Sequence, residues 1–268
     1  MPSPKAARYD DHLALAHVLA DLSGKAVLPY FRRALSIEDK GSEHGFDPVT
    51  NADRAAERSI RRHLARVEPE HGIIGEEFEA HAGAGRFNWV IDPIDGTKAF
   101  IMGSPLWGTL IGLMDGKNPV LGVMDQPFTG ERIWSSGRGT HWRLRDGRAR
   151  RVKTRSCAQL SDAILTSTSP DLLGAARNQQ AFQRLKSQAR MTRFGGDCYG
   201  YCLLAAGHVD LVVETGLKAH DVVALIPIIE RAGGRITTWE GEGAERGGRI
   251  VASGDSRLHE KALRLLTG

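Results

Sequence analysis

Long apolar runs are missing from this sequence. Hydrophobic residues never accumulate toward the ~18 in a row that a membrane-spanning helix requires, so no membrane partner is expected. The stretch from Met1 to Asp10 has neither an apolar core nor a small-residue cleavage site. No secretory signal is read there, and the cytoplasm is the expected compartment. Cysteine is scarce: Cys157, Cys198 and Cys202 are the only three, an odd count that argues against a disulfide framework and fits a reducing environment. Cys198 and Cys202 stand one helical turn apart, but no second Cys/His pair at ligand spacing accompanies them. They read as small packing residues rather than half of a zinc site. Internal repeats and low-complexity tracts are also absent, which excludes solenoid architectures.

The net charge is only +4, but the positive residues are unevenly placed. Arg143, Arg145, Arg148, Arg150, Arg151, Lys153 and Arg155 crowd one segment. Such a run attracts anions or nucleic acid in principle. The segment from His141 to Val152, however, reads as a hairpin turning at Asp146-Gly147, whose exposed positions carry solvated charge. No aromatic stacking pattern accompanies it, so nucleic acid is not the expected partner.

Helical periodicity runs from Asp10 to about Arg33 through Leu13, Ala16, Val18, Leu19, Leu22 and Ala26. A second helix is expected from Ala52 to about Val67, capped by Asn51, with Ile60, Leu64 and Val67 as its buried stripe. Short apolar runs then follow at His71–Gly75, Phe87–Ile91, Gly108–Met114, Val120–Met124 and Arg132–Ser136, each bounded by strand-ending residues. Beyond residue 155 strands and helices alternate: strands at Ala163–Ser167, Met191–Phe194, Val209–Glu214, Gly234–Trp239 and Arg249–Ser253, and helices at Ala175–Ala189, Cys198–Ala206 and Asp221–Ala232. The expectation is a layered sandwich of α+β and α/β character, with helix layers alternating with sheet layers. Two docked domains are expected. Residues 1–155 form an N-terminal α+β unit carrying Asp53, Glu76 and the Asp92–Thr97 segment, and residues 156–268 an α/β unit carrying Asp197, Glu214 and Asp221.

The segment Trp89-Val-Ile-Asp92-Pro-Ile-Asp95-Gly96-Thr97 carries the most chemistry. An apolar strand ends in two carboxylates held in one turn. They repel each other unless one is protonated or a cation lies between them. Oxygen ligands with no histidine or cysteine nearby favour Mg²⁺ over zinc. Gly96 allows close backbone approach, and the amides of Gly96 and Thr97 form an anion site at a helix start. Taken alone, an Asp-rich turn reads equally well as two carboxylates capping backbone amides. Further acids at element ends shift that balance: Glu76 and Glu77 after Gly72–Gly75, Asp53 at the beginning of a helix in Asp47-Pro-Val-Thr-Asn-Ala-Asp53, and Asp221 after Ala219-His220.

These four segments together resemble the inositol monophosphatase superfamily, in the expected order from about Leu13 to Ser253. One position departs: His220 stands where inositol monophosphatases usually have Trp, which alters the substrate wall. The resemblance implies an inositol monophosphatase/fructose bisphosphatase-like fold, a homodimer and two to three Mg²⁺ ions per site. It implies that Glu76, Asp92 and the carbonyl of Ile94 hold one ion, that Asp92, Asp95 and Asp221 hold a second, and that Asp53 helps hold a third ion or a water. Thr97 and Asp53, with Glu77 beside them, are implied as the catalytic group that orients and deprotonates the attacking water, and Gly96 and Thr97 as the phosphate cradle. A metal lowers the pKa of bound water toward ~7, and phosphoryl transfer needs positioning and charge neutralisation more than covalent chemistry.

Phe194–Tyr201 and Glu214–Glu230 resemble the histidinol-phosphate phosphatases of that superfamily more than its inositol enzymes. Histidinol phosphate brings an ammonium and an imidazole, so its pocket calls for carboxylates left free by metal, a role that Asp197 and Glu214 fit, with His220 as a further substrate contact. Asp197 also reads as a helix cap, and Glu214 as a partner of Lys218 or Arg193. Tyr199 and Tyr201 read equally as core residues or pocket walls. The expected partner is a small phosphorylated substrate. Open alternatives are an inositol or broad-specificity sugar phosphatase, a nucleotide phosphatase acting on 3′-phosphoadenosine phosphate, and an RNA- or transcription-complex-associated protein using the arginine hairpin.

Overall fold

The protein is described by a computed structural model over residues 9–41 and 48–268. Residues 1–8, on which most of the N-terminal reading rests, and Asp47 lie outside the described residues. The first helix, α1 (Asp10–Val27), buries Ala16, Leu19, Ala20 and Val27. A small ribbon, β1 (Ile37–Asp39) with β2 (Pro48–Thr50), leads into α2 (Asn51–Val67). The cap of α2 is Thr50 and not the expected Asn51. Thr50 is extended, at φ −120° and ψ 168°, so its hydroxyl reaches the Ala52 amide while Asp53 accepts from the Thr50 amide. That reciprocal pair satisfies helix-start donors which Asn51, already helical, cannot reach.

Seven strands form the first sheet in sequence order: β3 (Gly72–Gly75), β4 (Phe87–Asp95), β5 (Gly108–Asp115), β6 (Asn118–Gln126), β7 (Glu131–Ser136), β8 (Gly139–Arg143) and β9 (Ala149–Val152). Only the β3–β4 pair is parallel. The arginine segment is the expected hairpin, β8 with β9, its tip exposed from Arg145 to Arg151. After the short helix α3 (Thr97–Ile101) the further α-helices of the described residues all lie late in the chain: α4 (Ala176–Lys186), α5 (Asp197–Ala205), α6 (Ala219–Val222), α7 (Leu225–Ala232) and α8 (Ser256–Thr267). The second sheet has five strands, β10 (Ile164–Ser167), β11 (Met191–Phe194), β12 (Leu211–Leu217), β13 (Arg235–Thr238) and β14 (Gly248–Ser253). Its order is β11-β10-β12-β14-β13, with β10 parallel to both neighbours.

Strand alternation builds the layers. On β5, Ile111 and Leu113 join α1 and α2, while Leu110 points the other way into a core shared with α5 and α7. On β12, Val212 enters that same central core, whereas Leu211 and Val213 pack on the far side with α4 and α8. The result is helix, sheet, helix, sheet, helix, the expected sandwich. Cys198 and Cys202 are buried in the central layer, which suits packing residues. Several elements differ from the sequence reading: α1 ends at Val27 and not near Arg33, and Val67, expected in the buried stripe of α2, is exposed. The helix expected over Asp221–Ala232 is two, α6 and α7, with a break at Val223–Ala224. The terminal helix α8 is not among the expected elements; it buries Leu258, Ala262 and Leu266 against the second sheet. Among the described residues no helix is long and apolar enough to cross a membrane.

Candidate active site

The site forms where β3 and β4 end and α2, α3, α5 and α6 begin. On a regular strand, residues three apart face opposite sides. Asp92 pairs with Leu110 and Asp95 with Gly108, with a register shift between them. Pro93 has no amide to donate, and its carbonyl instead accepts from the Thr109 hydroxyl at 2.8 Å. This irregularity turns both aspartates into one cleft, as bulges beside active sites commonly do. The Ile94 amide donates to Asp92 Oδ1 at 3.0 Å, and the Thr97 hydroxyl donates to the Ile94 carbonyl at 3.0 Å. Gly96 has φ +87°, and a Cβ there would lie 3.1 Å from both the Asp197 side chain and the Leu106 carbonyl. Only glycine combines that conformation with so close an approach.

Residues remote in sequence complete the cluster. Oxygens of Asp92, Asp95 and Asp221 lie within 4.8 Å of one another, and so do ligand atoms of Glu76, Asp92 and His220. Asp92 belongs to both sets. Asp95 Oδ1 accepts from the Cys198 amide at 2.7 Å, tying the cluster to α5, and Asp221 Oδ2 accepts from the Lys218 amide at 2.6 Å. Burial first, then the neighbouring carboxylates, push Asp92 and Asp95 well above the usual carboxylate range. Asp221 is raised by burial, although His220 pulls the other way. Burial also opposes ionisation of Glu76, but Lys40 and His220 outweigh it and hold this group below its ordinary value. So much carboxylate in one buried place is stable in its charged form only around cations. The donors are mainly oxygen, and Asp53 adds a buried Oδ1 without a hydrogen-bond partner. Both features fit a hard divalent ion. The Asp92–Thr97 turn holds no histidine, as expected, and the fold brings His220, beside Asp221 on α6, up to Glu76 and Asp92.

The remaining expected residues divide. Asp95, Gly96, Thr97, Asp197, Glu214 and Asp221 line one pocket of about 620 Å³. Asp197 follows two left-handed glycines and is itself left-handed at φ +43°, a conformation that aspartate tolerates better than most residues. Gly196, not Asp197, occupies the cap position of α5. Burial and the facing Glu214 raise the Asp197 carboxyl to about 7. Glu214 is raised by burial too, and it bonds to neither Lys218 nor Arg193. Its Oε1 accepts from the Thr168 amide at 2.9 Å and hydroxyl at 2.5 Å, and its Oε2 from the Tyr201 hydroxyl at 2.9 Å. Tyr199 instead donates to Glu131 at 2.7 Å.

Asp53 and Glu77 stand outside that pocket. Asp53 Oδ2 accepts from the Thr50 amide at 2.8 Å and hydroxyl at 2.6 Å, and burial raises the group to about 6. Among the described residues no hydrogen bond joins Thr97 to Asp53, because the capping of α2 and the Ile94 carbonyl engage them separately. Glu77 Oε1 and Glu76 Oε1 both accept from Lys40, at 2.7 and 2.9 Å, and burial raises Glu77 to about 7. Glu57, fully buried on α2, accepts the Glu77 amide at 2.8 Å and so fixes the turn after β3. The sequence reading missed Lys40, Glu57 and Thr168. None lies in a spaced motif, and only a lone glutamate in a helix of arginines hinted at Glu57.

Comparison with known proteins agrees with this geometry. The model of the inositol monophosphatase family matches residues 9–267. The chain is 41% identical to the bifunctional phosphatase IMPL2, chloroplastic, of Arabidopsis thaliana, covering 96% of this chain and 75% of that one. It is 38% identical to a histidinol-phosphatase of Streptomyces coelicolor, covering 95% and 96%. Among solved structures, an inositol monophosphatase from Zymomonas mobilis superposes with a TM-score of 0.84 at 41% identity over 96% of this chain and 98% of that one. A family model that spans residues 9–267, relatives above 30% identity over nearly the whole chain and a shared fold lead to one assignment: this chain belongs to the inositol monophosphatase family.

Proposed function

We propose that the protein is a Mg²⁺-dependent phosphate monoesterase acting on histidinol phosphate. The observation that carries this reading is the meeting of Glu76, Asp92, Asp95 and Asp221 around one cleft, with Asp197 and Glu214 left over in the adjoining pocket. Glu76, Asp92 and the Ile94 carbonyl would hold one Mg²⁺, and Asp92, Asp95 and Asp221 a second. When bound, the ions supply charge neutralisation and a lowered pKa for water. Gly96 and Thr97 receive the phosphate at the start of α3. Asp53 Oδ1, which has no hydrogen-bond partner, would accept the proton of the attacking water, and the Thr97 hydroxyl, donating to the Ile94 carbonyl, would orient that water through its oxygen. In-line attack forms the new P–O bond as the ester P–O bond breaks, releasing the alcohol and phosphate without a phosphoenzyme.

The substrate follows from the two surplus acids. A neutral polyol such as inositol gives Asp197 and Glu214 no charge to pair with, whereas histidinol carries an ammonium and an imidazole. The histidinol-phosphatase relative covers nearly the whole chain. The inositol-1-monophosphatase of Rhizobium meliloti, 33% identical over 81% of this chain, supports the rival reading. Kinetics on Asp197→Asn decide between them. Removing a charge-assisted hydrogen bond should raise KM for histidinol phosphate about tenfold or more, and far more than KM for glycerol phosphate. Equal losses on both esters, or a wild type that prefers inositol 1-phosphate, would overturn the assignment.

A further inference from the structure

Glu214 is held more tightly than a substrate contact requires. A carboxylate has about four lone-pair directions, and three of those on Glu214 are already taken. Thr168 occupies Oε1 with its amide and its hydroxyl, and Tyr201 occupies one direction of Oε2. Tyr201 is 1% exposed and Glu214 7%, so these bonds are shielded from water and fix the carboxylate plane. One direction remains on Oε2. Asp197 lines the same pocket, with its side chain packed beside Gly96.

From this geometry we infer that Tyr201 and Thr168 are positioning residues. They lock Glu214 so that it and Asp197 form a two-carboxylate receptor for a cation that donates N–H bonds. The inference rests on the phosphomonoesterase reading and narrows its substrate class. Glu214 offers a single aimed acceptor and Asp197 the others, so the matching ligand has at least two N–H donors on one positive group or on adjacent ones. Primary ammonium and imidazolium qualify. A quaternary ammonium carries the same charge but no donor, and its methyl groups would leave both acids unpaired in a buried place.

Two commercial esters isolate that difference. Phosphoethanolamine and phosphocholine share phosphate, spacer and charge, and differ in N–H donors. Wild type should show a kcat/KM ratio for the first over the second of about tenfold or more, the worth of a charge-assisted hydrogen bond. Tyr201→Phe keeps the ring and frees the Glu214 carboxylate to turn; its ratio should fall severalfold toward unity, mainly through KM. Thr168→Val, which keeps the amide donor, should lose less. Circular dichroism and thermal melting confirm that each variant is folded, and a merely structural role would lower both activities together without moving the ratio. Calorimetric binding of histidinol, which carries no phosphate, gives a readout independent of turnover. Histidinol binding that weakens in Tyr201→Phe, in a protein hydrolysing no ester, would sink the phosphatase reading and leave the receptor standing. A ratio unchanged by Tyr201→Phe, or no histidinol binding in wild type, would overturn the receptor.

Discussion

Replacing Asp92 with asparagine separates what the acidic cluster does for chemistry from what it does to stability. Asparagine is isosteric, and its side-chain oxygen can keep the bond from the Ile94 amide, now 3.0 Å. What disappears is a charge shared by both acidic sets. At an effective dielectric of about 20, two unit charges at the 4.8 Å limit of the cluster repel by about 3.5 kcal/mol. Protonation relieves part of this, because burial and the neighbouring acids push the Asp92 carboxyl well up. The metal-free variant should therefore be more stable than wild type by a fraction of that figure, about 1–3 kcal/mol. In a chain of this size that is roughly 2–6 °C in Tm. Mg²⁺ reverses the order: binding at a hundredfold excess over Kd adds about 2.7 kcal/mol to wild type. Asp92→Asn should gain far less and should have no Mg²⁺-dependent turnover. Thermal unfolding of both proteins in EDTA and in MgCl₂, beside a phosphate-release assay, tests each part. A variant no more stable than wild type in EDTA, or one stabilised equally by Mg²⁺, would refute the reasoning.

Two further predictions concern the frame around the site. Arg132, 3% exposed, donates to Asp125 and to Asp21, both at 2.6 Å; Arg132→Met strands the buried Asp125 charge and should cost about 3–5 kcal/mol in urea unfolding. The double variant Arg132→Met/Asp125→Leu should recover most of that loss, and an equal loss in both would show that the ion pair is not what matters. His259 is fully buried between the Thr237 and Ser253 hydroxyls, and burial with nearby Arg235 lowers it to about 4. The unfolded chain takes up that proton near pH 6.5, so this contribution is complete above 6.5 and fades as pH falls toward 4, by about 2 kcal/mol between pH 7 and 5. His17, also held near 4 by burial and Arg132, adds in the same direction. His259→Gln should flatten the fall, and an unchanged slope would exclude this histidine as its source.

Periodicity and turn chemistry made most of the fold legible. The strands of both sheets, the two N-terminal helices and the arginine hairpin are local patterns, and strand alternation already implies which side chains face which layer. What local pattern misjudged is also local in cause. Thr50 took the cap expected of Asn51 because the chain direction before α2 decides which side-chain oxygen reaches an amide. The break between α6 and α7 at Val223–Ala224 falls one turn before Pro227, which has no amide to give the Val223 carbonyl, a signal that the sequence itself carries.

For the site, the residue types and their spacing determined that carboxylates end two neighbouring strands, and the match of four segments made a metal-dependent phosphatase the expectation. Only the tertiary structure decided which groups share a field. The irregularity after Asp92 turns two oppositely facing aspartates to one side. Packing of α6 adds His220 to the acids, Lys40 spans Glu76 and Glu77, and Tyr201 with Thr168 immobilises Glu214. The physical reason is one of range. Side-chain periodicity is set by neighbours a few residues away and can be read along the chain. Electrostatic repulsion and hydrogen bonding act over a few ångströms of space, between groups as far apart in sequence as Asp92 and Asp221.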